Sequence, residues 1–159
     1  NCVLKMVVDS STLVSLAKIR SLGVLDQLNA DIFCPFEVKK EAVDEGMARH
    51  FDDAFEIQKI FEKNVVRVKE IYGHANADEA VLELAKKIGA EFILCNDVGL
   101  SRRAAGSNIK VKGSADVFFE LYRNGDLNKR EVLQKLKQLV SKKRLSAKNY
   151  LLYFSGVKK

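Results

Sequence analysis

Short apolar runs alternate with longer helical stretches along the chain, and this alternation is the strongest constraint on its fold. Five runs predict strands, at Val3–Val8, Asp31–Cys34, Val65–Val68, Glu91–Cys95 and Ile109–Lys112. Strands separated by helices pair in parallel, because a parallel pair needs a crossover connection rather than a tight turn. We therefore expect an α/β protein, a three-layer α/β/α sandwich with a central, mostly parallel sheet of about five strands.

Residues that favour helix ends predict where the intervening helices begin and end. Asp9 is a typical N-cap, and Asn76 followed three residues later by Glu79 forms a capping-box pattern, which makes Glu79 a structural residue rather than a ligand. Gly46 and Gly89 predict helix ends. The first predicted helix runs from Asp9 to Arg20, and a separate short helix ends at Leu28. The other predicted helices are Phe36–Glu45, His50–Lys63, Asn76 to Gly89, Val98–Ala105, Ser114–Arg123, Lys129–Val140 and Ser146–Phe154.

Length and charge predict one domain with a basic end. The chain has 159 residues, and single domains most often contain ~100–150, so we expect one domain over residues 1–159. Residues 123–159 hold eleven Lys or Arg against two acidic residues, whereas residues 1–122 hold sixteen basic and nineteen acidic residues. A basic helical C-terminal region favours a polyanionic partner. The alternative is that these lysines only cover two solvated helices.

The spacing of the cysteines and the length of the apolar runs predict the cellular compartment in which the protein acts. The three cysteines are an odd number, lie far apart and form no C-x-x-C pair, so neither a disulfide framework nor a zinc site is predicted. The cysteines are instead expected to be small buried apolar residues. No apolar run is long enough to span a membrane, and no secretory signal is visible. We expect a cytoplasmic protein without a membrane contact.

Acidic residues follow the predicted strands at the points where ligands bind in parallel sheets. Asp9 and Asp97 follow two strands, Glu41 and Asp78 lie near the starts of helices, and Asp116 follows the last strand. Carboxylates gathered in one crevice repel each other, and Mg²⁺ or Mn²⁺ usually relieves such repulsion. Such an ion also activates water and stabilises a phosphate under attack. Taken singly, each acid also fits a helix cap or an exposed charge.

The residues at these positions resemble a known family. V-V-D-S-S-T-L-V at residues 7–14, a P-x-x-V-x-x-E step ending at Glu41, a D-x-A-x-x-x-x-A helix beginning at Asp78, and N-D-x-x-L beginning at Asn96 look like the motifs of a PIN domain. Their order and spacing agree over about the first 120 residues. Residues 113–125 are similar to the C-terminal region of prokaryotic, especially archaeal, members.

The resemblance implies a Mg²⁺- or Mn²⁺-dependent endoribonuclease, of the kind that often acts as the toxin of a toxin–antitoxin pair. It implies an RNA substrate, taken here as single-stranded. An antitoxin is a further partner only where a member of the family acts as a toxin. The family pattern departs at Cys95, where members frequently have Thr or Ser, and at Ser101, where Arg is common. By position, the implied catalytic and metal-binding residues are Asp9, Glu41, Asp78 and Asp97, the supporting residues are Ser11, Asn96 and Asp116, and the nucleic-acid contacts are Arg102, Arg103, Lys142, Lys143 and Arg144.

Two other functions are alternatives to this hypothesis, and a homodimer is a prediction in addition to it. The runner-up is a non-catalytic PIN-like module that binds RNA or protein. A haloacid-dehalogenase-type phosphatase needs a second Asp two residues after the first, and position 11 is Ser. A homodimer is also predicted, because Phe51, Phe55, Leu82 and the cluster 150–154 offer more apolar surface than a small sheet can cover.

Overall fold

The computed structural model describes residues 4–48, 52–71, 73 and 76–158. Five strands form one parallel sheet in the order β3-β2-β1-β4-β5. The strands are β1 Leu4–Val8, β2 Ala30–Pro35, β3 Val66–Lys69, β4 Phe92–Leu94 and β5 Lys110–Lys112. The predicted α/β/α fold and its five strands are confirmed. Val3, at the predicted start of the first strand, lies outside the described residues.

Helices connect the strands and cover the sheet, as crossover connections require. Their capping matches the sequence: Asp9 accepts a hydrogen bond from the Ser10 amide, and Asn76 accepts one from the Glu79 amide. The helices are α1 Ser10–Lys18, α2 Val24–Gln27, α3 Phe36–Lys39, α4 Gly46–Ala48, α5 Asp52–Glu62, α6 Ala77–Ile88, α7 Val98–Ala104, α8 Ser114–Arg123, α9 Lys129–Ser141 and α10 Ala147–Lys158.

The predicted helix break at Gly46 is wrong. After α3 the chain continues through a π-helical turn at Lys40–Glu45 directly into α4, so Gly46 lies inside a continuous helical stretch. A Cβ atom on Gly46 would lie 2.8 Å from the Cβ of Ala54, so the glycine permits α5 to pack closely. Sequence alone does not distinguish a glycine that ends a helix from one that permits a helix contact.

The core lies on both faces of the sheet. Val7, Val8, Ile93 and Leu94 of the two central strands are at most 1 % exposed, as expected for strands covered on both sides. Helix α8 contacts α1, α2, α9 and β5, which ties the basic C-terminal helices to the body of the domain. Within the described residues, no helix combines the length and the apolar character needed to cross a membrane.

The surface predicted to support a homodimer is only partly apolar and exposed. Leu82 is 9 % exposed and belongs to the core, so its assignment to an exposed surface is wrong. Phe55, Leu151 and Leu152 are 52 %, 61 % and 66 % exposed. Phe51 lies outside the described residues. Homodimerisation remains a prediction. Size-exclusion chromatography with light scattering tests it.

Candidate active site

The carboxyl ends of the central strands bring Asp9 and the segment 95–97 together. Val8 pairs with Leu94 in register, and the Asp9 amide donates to the Leu94 carbonyl at 2.9 Å. Glu41 approaches the same edge from the π-helical turn after β2, and Asp78 from the first turn of α6. π-helical turns are frequent at functional sites.

Asp9 is the buried centre of this arrangement. It is 4 % exposed, yet donors from three residues satisfy its carboxylate. Its Oδ1 accepts from the Ser10 amide at 2.7 Å, and its Oδ2 accepts from Ser11 Oγ at 3.0 Å and from Cys95 Sγ at 3.1 Å. These bonds offset the cost of burying a charged group and fix its orientation.

Ser10 links Asp9 to Glu41 and was not predicted to belong to the site. Its Oγ donates to Glu41 Oε1 at 3.1 Å, while its backbone amide donates to Asp9 Oδ1. The position of Ser10 directly after Asp9 was the available signal, but only the fold places Glu41 within reach of its hydroxyl.

The four predicted acids act on one another electrostatically. Partial burial raises the pKa of Glu41, the charges of Asp9, Glu45 and Asp78 raise it further, and the Ser10 hydrogen bond opposes the rise. Partial burial likewise raises the pKa of Asp78, as do the charges of Asp9 and Asp97, whereas Arg103 lowers it. Mutual repulsion of this kind is what a cation would relieve.

These shifts predict that neutralising Glu41 or Asp78 stabilises the metal-free protein at neutral pH. A carboxyl whose folded pKa lies above its unfolded value favours the folded state only while protonated, so stability falls as pH rises from about 4 through the folded pKa values. Glu41→Gln and Asp78→Asn should each gain less than about 1 kcal/mol at pH 7, because both groups are partly solvated. Thermal melts across pH, with a chelator present, measure the effect.

The gain should disappear below about pH 4, where the wild-type carboxyls are protonated as well. Asp126→Asn is the control, because Asp126 is exposed and lies in the basic region. An equal gain for Asp126→Asn, or none for either site variant, would contradict the proposed repulsion.

Cys95 takes part in the site as both a donor and an acceptor. Its thiol donates to Asp9, and its Sγ accepts a hydrogen bond from the Asp97 amide at 3.1 Å. Burial is the largest of the effects that raise its pKa to about 12, so the sulfur keeps its proton at neutral pH. Cys34 and Cys95 are both free and buried, as the sequence predicts, whereas Cys2 lies outside the described residues.

Asn96 joins three elements behind the acids. Its Nδ2 donates to Ser15 Oγ and Ser114 Oγ, both at 2.9 Å, and its Oδ1 accepts from the Ser114 amide at 2.8 Å. Its own amide donates to Ser11 Oγ at 3.0 Å. Asn96 thus holds α1 and α8 against the end of β4 and supports the orientation of Ser11.

Replacing Asn96 with Ala is expected to lower the free energy of unfolding by about 2–3 kcal/mol. The substitution removes three side-chain hydrogen bonds of about 1 kcal/mol each and leaves the buried Ser114 unpaired. Urea denaturation measures the loss. Asn124→Ala, at an exposed position after α8, should change stability by less than about 0.5 kcal/mol. Equal stability of the two variants would show that Asn96 does not join these elements.

Asp116 has two structural partners. Its Oδ2 accepts from the Gly113 amide at 2.8 Å, and its Oδ1 accepts from the Tyr153 hydroxyl of α10 at 2.5 Å. A side chain with both oxygens engaged in this way caps α8 and anchors α10. The tyrosine had no signal in the sequence that would pair it with an acid 37 residues away.

The predicted nucleic-acid contacts form two groups, one on α7 and one in the turn after α9. Arg102 and Arg103 are exposed on α7, and Arg103 Nη1 lies 3.8 Å from Asp78 Oδ2. Lys143 and Arg144, in the turn between α9 and α10, line a cavity of about 740 Å³ that also contains Asp97. Lys142 precedes them and is exposed.

The acids fit a hard divalent cation in chemistry but do not form a closed cage. Among the described residues, no group of three or more Asp, Glu, His or Cys side chains is arranged to hold a metal ion. Mg²⁺ typically keeps several waters and binds through only one or two carboxylates, so a closed cage is not required. The oxygen donors and the mutual repulsion of Glu41, Asp78 and Asp9 fit such an ion.

The fold and the acidic carboxyl edge of the sheet together define a PIN-like α/β/α protein. A family model described as PIN domain matches residues 5–155, and the chain belongs to this family. PIN domains often carry nuclease activity. No curated protein matches the chain.

Proposed function

We propose that this protein is a Mg²⁺- or Mn²⁺-dependent endoribonuclease that hydrolyses single-stranded RNA. The observation that carries the proposal is the hydrogen-bonded geometry at the carboxyl edge of the sheet: Ser10 bonds to both Asp9 and Glu41, and Cys95 bonds to both Asp9 and the Asp97 amide. The charges of Asp9 and Asp97 also raise the pKa of Asp78, after its partial burial. Membership of a family that often carries nuclease activity supports the same conclusion. Residues 123–159, with eleven basic and two acidic residues, supply attraction for a polyanion.

Each acid has a role in the proposed reaction. Asp9, Asp78 and Asp97 would hold the cation directly or through water, with Ser11 and Cys95 fixing the Asp9 carboxylate. When bound, the cation would make a water more acidic and offset the charge on the phosphate. Glu41, held by Ser10, would orient the attacking water, and its raised pKa suits it to accept a proton. The products would be a 3′-hydroxyl and a 5′-phosphate.

The biological setting follows from the same proposal. Cys34 and Cys95 are free thiols, as is usual for proteins that act in the reducing cytoplasm. Small PIN-domain ribonucleases of this kind often act as the toxin of a toxin–antitoxin pair, and we propose this role here. An antitoxin would then be a second partner besides RNA.

Cleavage of a labelled single-stranded RNA by the purified protein tests the function. Activity should appear with Mn²⁺ or Mg²⁺, disappear with a chelator, and return when the metal is restored. Chemical analysis of the 5′ ends of the RNA products distinguishes a 5′-phosphate from a 5′-hydroxyl. A protein that binds RNA but never cleaves it under these conditions would be the non-catalytic binding module.

Saturating Mn²⁺ is expected to raise the melting temperature of the wild-type protein by about 5 °C or more. A ligand at a hundred times its dissociation constant stabilises the folded state by about 2.7 kcal/mol, and a domain of this size gains roughly 2–4 °C per kcal/mol. Differential scanning fluorimetry measures the shift. The shift should be lost in Asp9→Asn and kept in Asp26→Asn, where the replaced acid is exposed on α2. Equal shifts in both variants would remove the acids from metal binding.

A further inference from the structure

We propose that the cavity beside Asp97 binds one nucleotide of single-stranded RNA next to the cleaved phosphate, and that Arg144 holds a phosphate of that nucleotide. The inference rests on the proposed nuclease function and deepens it. It states on which side of the acids the RNA strand lies.

Two cavities formed by described residues adjoin the acid cluster. The Asp97 cavity, of about 740 Å³, is bounded by Asp97, Gly113 and Tyr153. The Glu41 cavity, of about 840 Å³, is bounded by Ser10, Glu41 and part of α5. Both volumes lie within the ~300–1,000 Å³ typical of ligand sites, so size does not distinguish them.

Charge does distinguish the two cavities. The Glu41 cavity is lined by four acids, Glu41, Glu45, Asp52 and Asp53, which outnumber its two cations, Arg144 and Lys18, and Lys18 is already paired with Asp53 at 3.2 Å. A phosphate entering there would meet repulsion. In the Asp97 cavity, Lys143 and Arg144 balance two acids: Asp97, whose Oδ1 accepts from the Gly99 amide, and Asp116, whose oxygens accept from Gly113 and Tyr153. The RNA backbone therefore lies in the Asp97 cavity.

Arg144 is the cation best placed to hold a phosphate near the acids, because it lines both cavities. The turn after α9 fixes its backbone: the Lys143 amide donates to Val140, the Arg144 amide donates to Leu139, and Lys143 has a φ of +60°. Arg144 is partly buried, and its guanidinium has no ion-pair partner among the described residues. A guanidinium with unused donors matches two phosphate oxygens.

The walls of the Asp97 cavity suit an unpaired base. Tyr153 lines it, and the hydrogen bond to Asp116 together with the edge contact to Phe119 holds the tyrosine ring in place. Asn149 and Ser146 add polar groups at the same wall. Unstacked bases of single strands bind aromatic and polar walls of this kind, whereas the bases of a duplex are already stacked and paired.

Binding of a fluorescent single-stranded oligoribonucleotide to the Asp9→Asn protein tests the proposal without cleavage. Adding Arg144→Gln should weaken binding roughly tenfold and lower the slope of log affinity against log salt by about 0.7, the value for one lost phosphate contact on a single strand. Lys143→Gly should also weaken binding without loss of stability, because glycine favours the positive φ at this turn.

Arg130→Gln is the matched control, since Arg130 is exposed near the start of α9, about three helical turns from Arg144. It should leave the affinity within about twofold and the salt slope nearly unchanged. Equal effects of Arg130→Gln and Arg144→Gln would overturn the proposal, because they would show attraction by total charge only.

Cross-linking of an RNA that contains 4-thiouridine tests the position of the strand directly. Cross-linked peptides should lie within residues 140–153. Cross-links confined to residues 41–54, binding without any cross-link in 140–153, or no RNA binding at all would overturn the proposal. The cleavage assay decides the nuclease function separately, so a protein that binds RNA in this cavity without cutting it would contradict only the proposed function.

Discussion

Replacing Asp9 with Asn is expected to reduce Mn²⁺-dependent RNA cleavage about a thousandfold or more while leaving the melting temperature nearly unchanged. Asp9 is the most buried of the four acids, and its charge raises the pKa of both Glu41 and Asp78. Loss of a metal-binding carboxylate removes about 4 kcal/mol of charge stabilisation, and each 1.4 kcal/mol corresponds to about tenfold in rate. Initial rates on a labelled oligoribonucleotide measure the loss.

Stability should be preserved because two effects of this substitution oppose each other. Asn keeps an oxygen to accept from the Ser10 amide, but its amide group cannot accept from Ser11 and Cys95. Removing the negative charge relieves the repulsion with Glu41 and Asp78. Asp26→Asn, at an exposed position, should keep full activity. Wild-type cleavage by Asp9→Asn would exclude the four acids as the reaction centre.

Replacing Phe118 with Ala is expected to lower the free energy of unfolding by about 3–5 kcal/mol, the largest stability loss that we predict. Phe118 is fully buried in α8, the helix that contacts α1, α2, α9 and β5. Removing its ring loses apolar burial and leaves a cavity that the surrounding helices only partly fill. The melting temperature should fall by roughly 10 °C, which calorimetry or circular dichroism measures.

Phe55→Ala is the matched control for this substitution. Phe55 is 52 % exposed on α5, so the same change of side chain should cost less than about 1 kcal/mol. A loss below about 1 kcal/mol for Phe118→Ala would show that the core relaxes around the missing ring. It would also show that α8 does not depend on this contact.

Local patterns predicted most of the fold. The alternation of short apolar runs with helices predicted the parallel sheet, because strands that are separated by helices need crossover connections. Cap residues such as Asp9 and Asn76 predicted helix starts, because they satisfy orphan amides within three residues of themselves. Gly46 was misjudged because its role depends on Ala54, which another helix brings close.

Contacts between distant residues could not be predicted in the same way. The Ser10–Glu41 hydrogen bond joins residues 31 positions apart, and the Tyr153–Asp116 bond joins residues 37 positions apart. At Cys95 the family pattern departs, and only the register of β1 against β4 places its thiol on Asp9. Hydrogen-bond partners of this kind are set by packing rather than by spacing along the chain.

The sequence by itself determined the class of fold, the basic C-terminal end and the choice of acids, because periodicity, charge and motif spacing are local properties of the chain. Only the tertiary structure decided that Asp9, Glu41, Asp78 and Asp97 influence one another. It also decided that acids outnumber cations in one neighbouring cavity and that acids and cations balance in the other. Electrostatic interactions depend on distance and on burial, and both are properties of the folded chain.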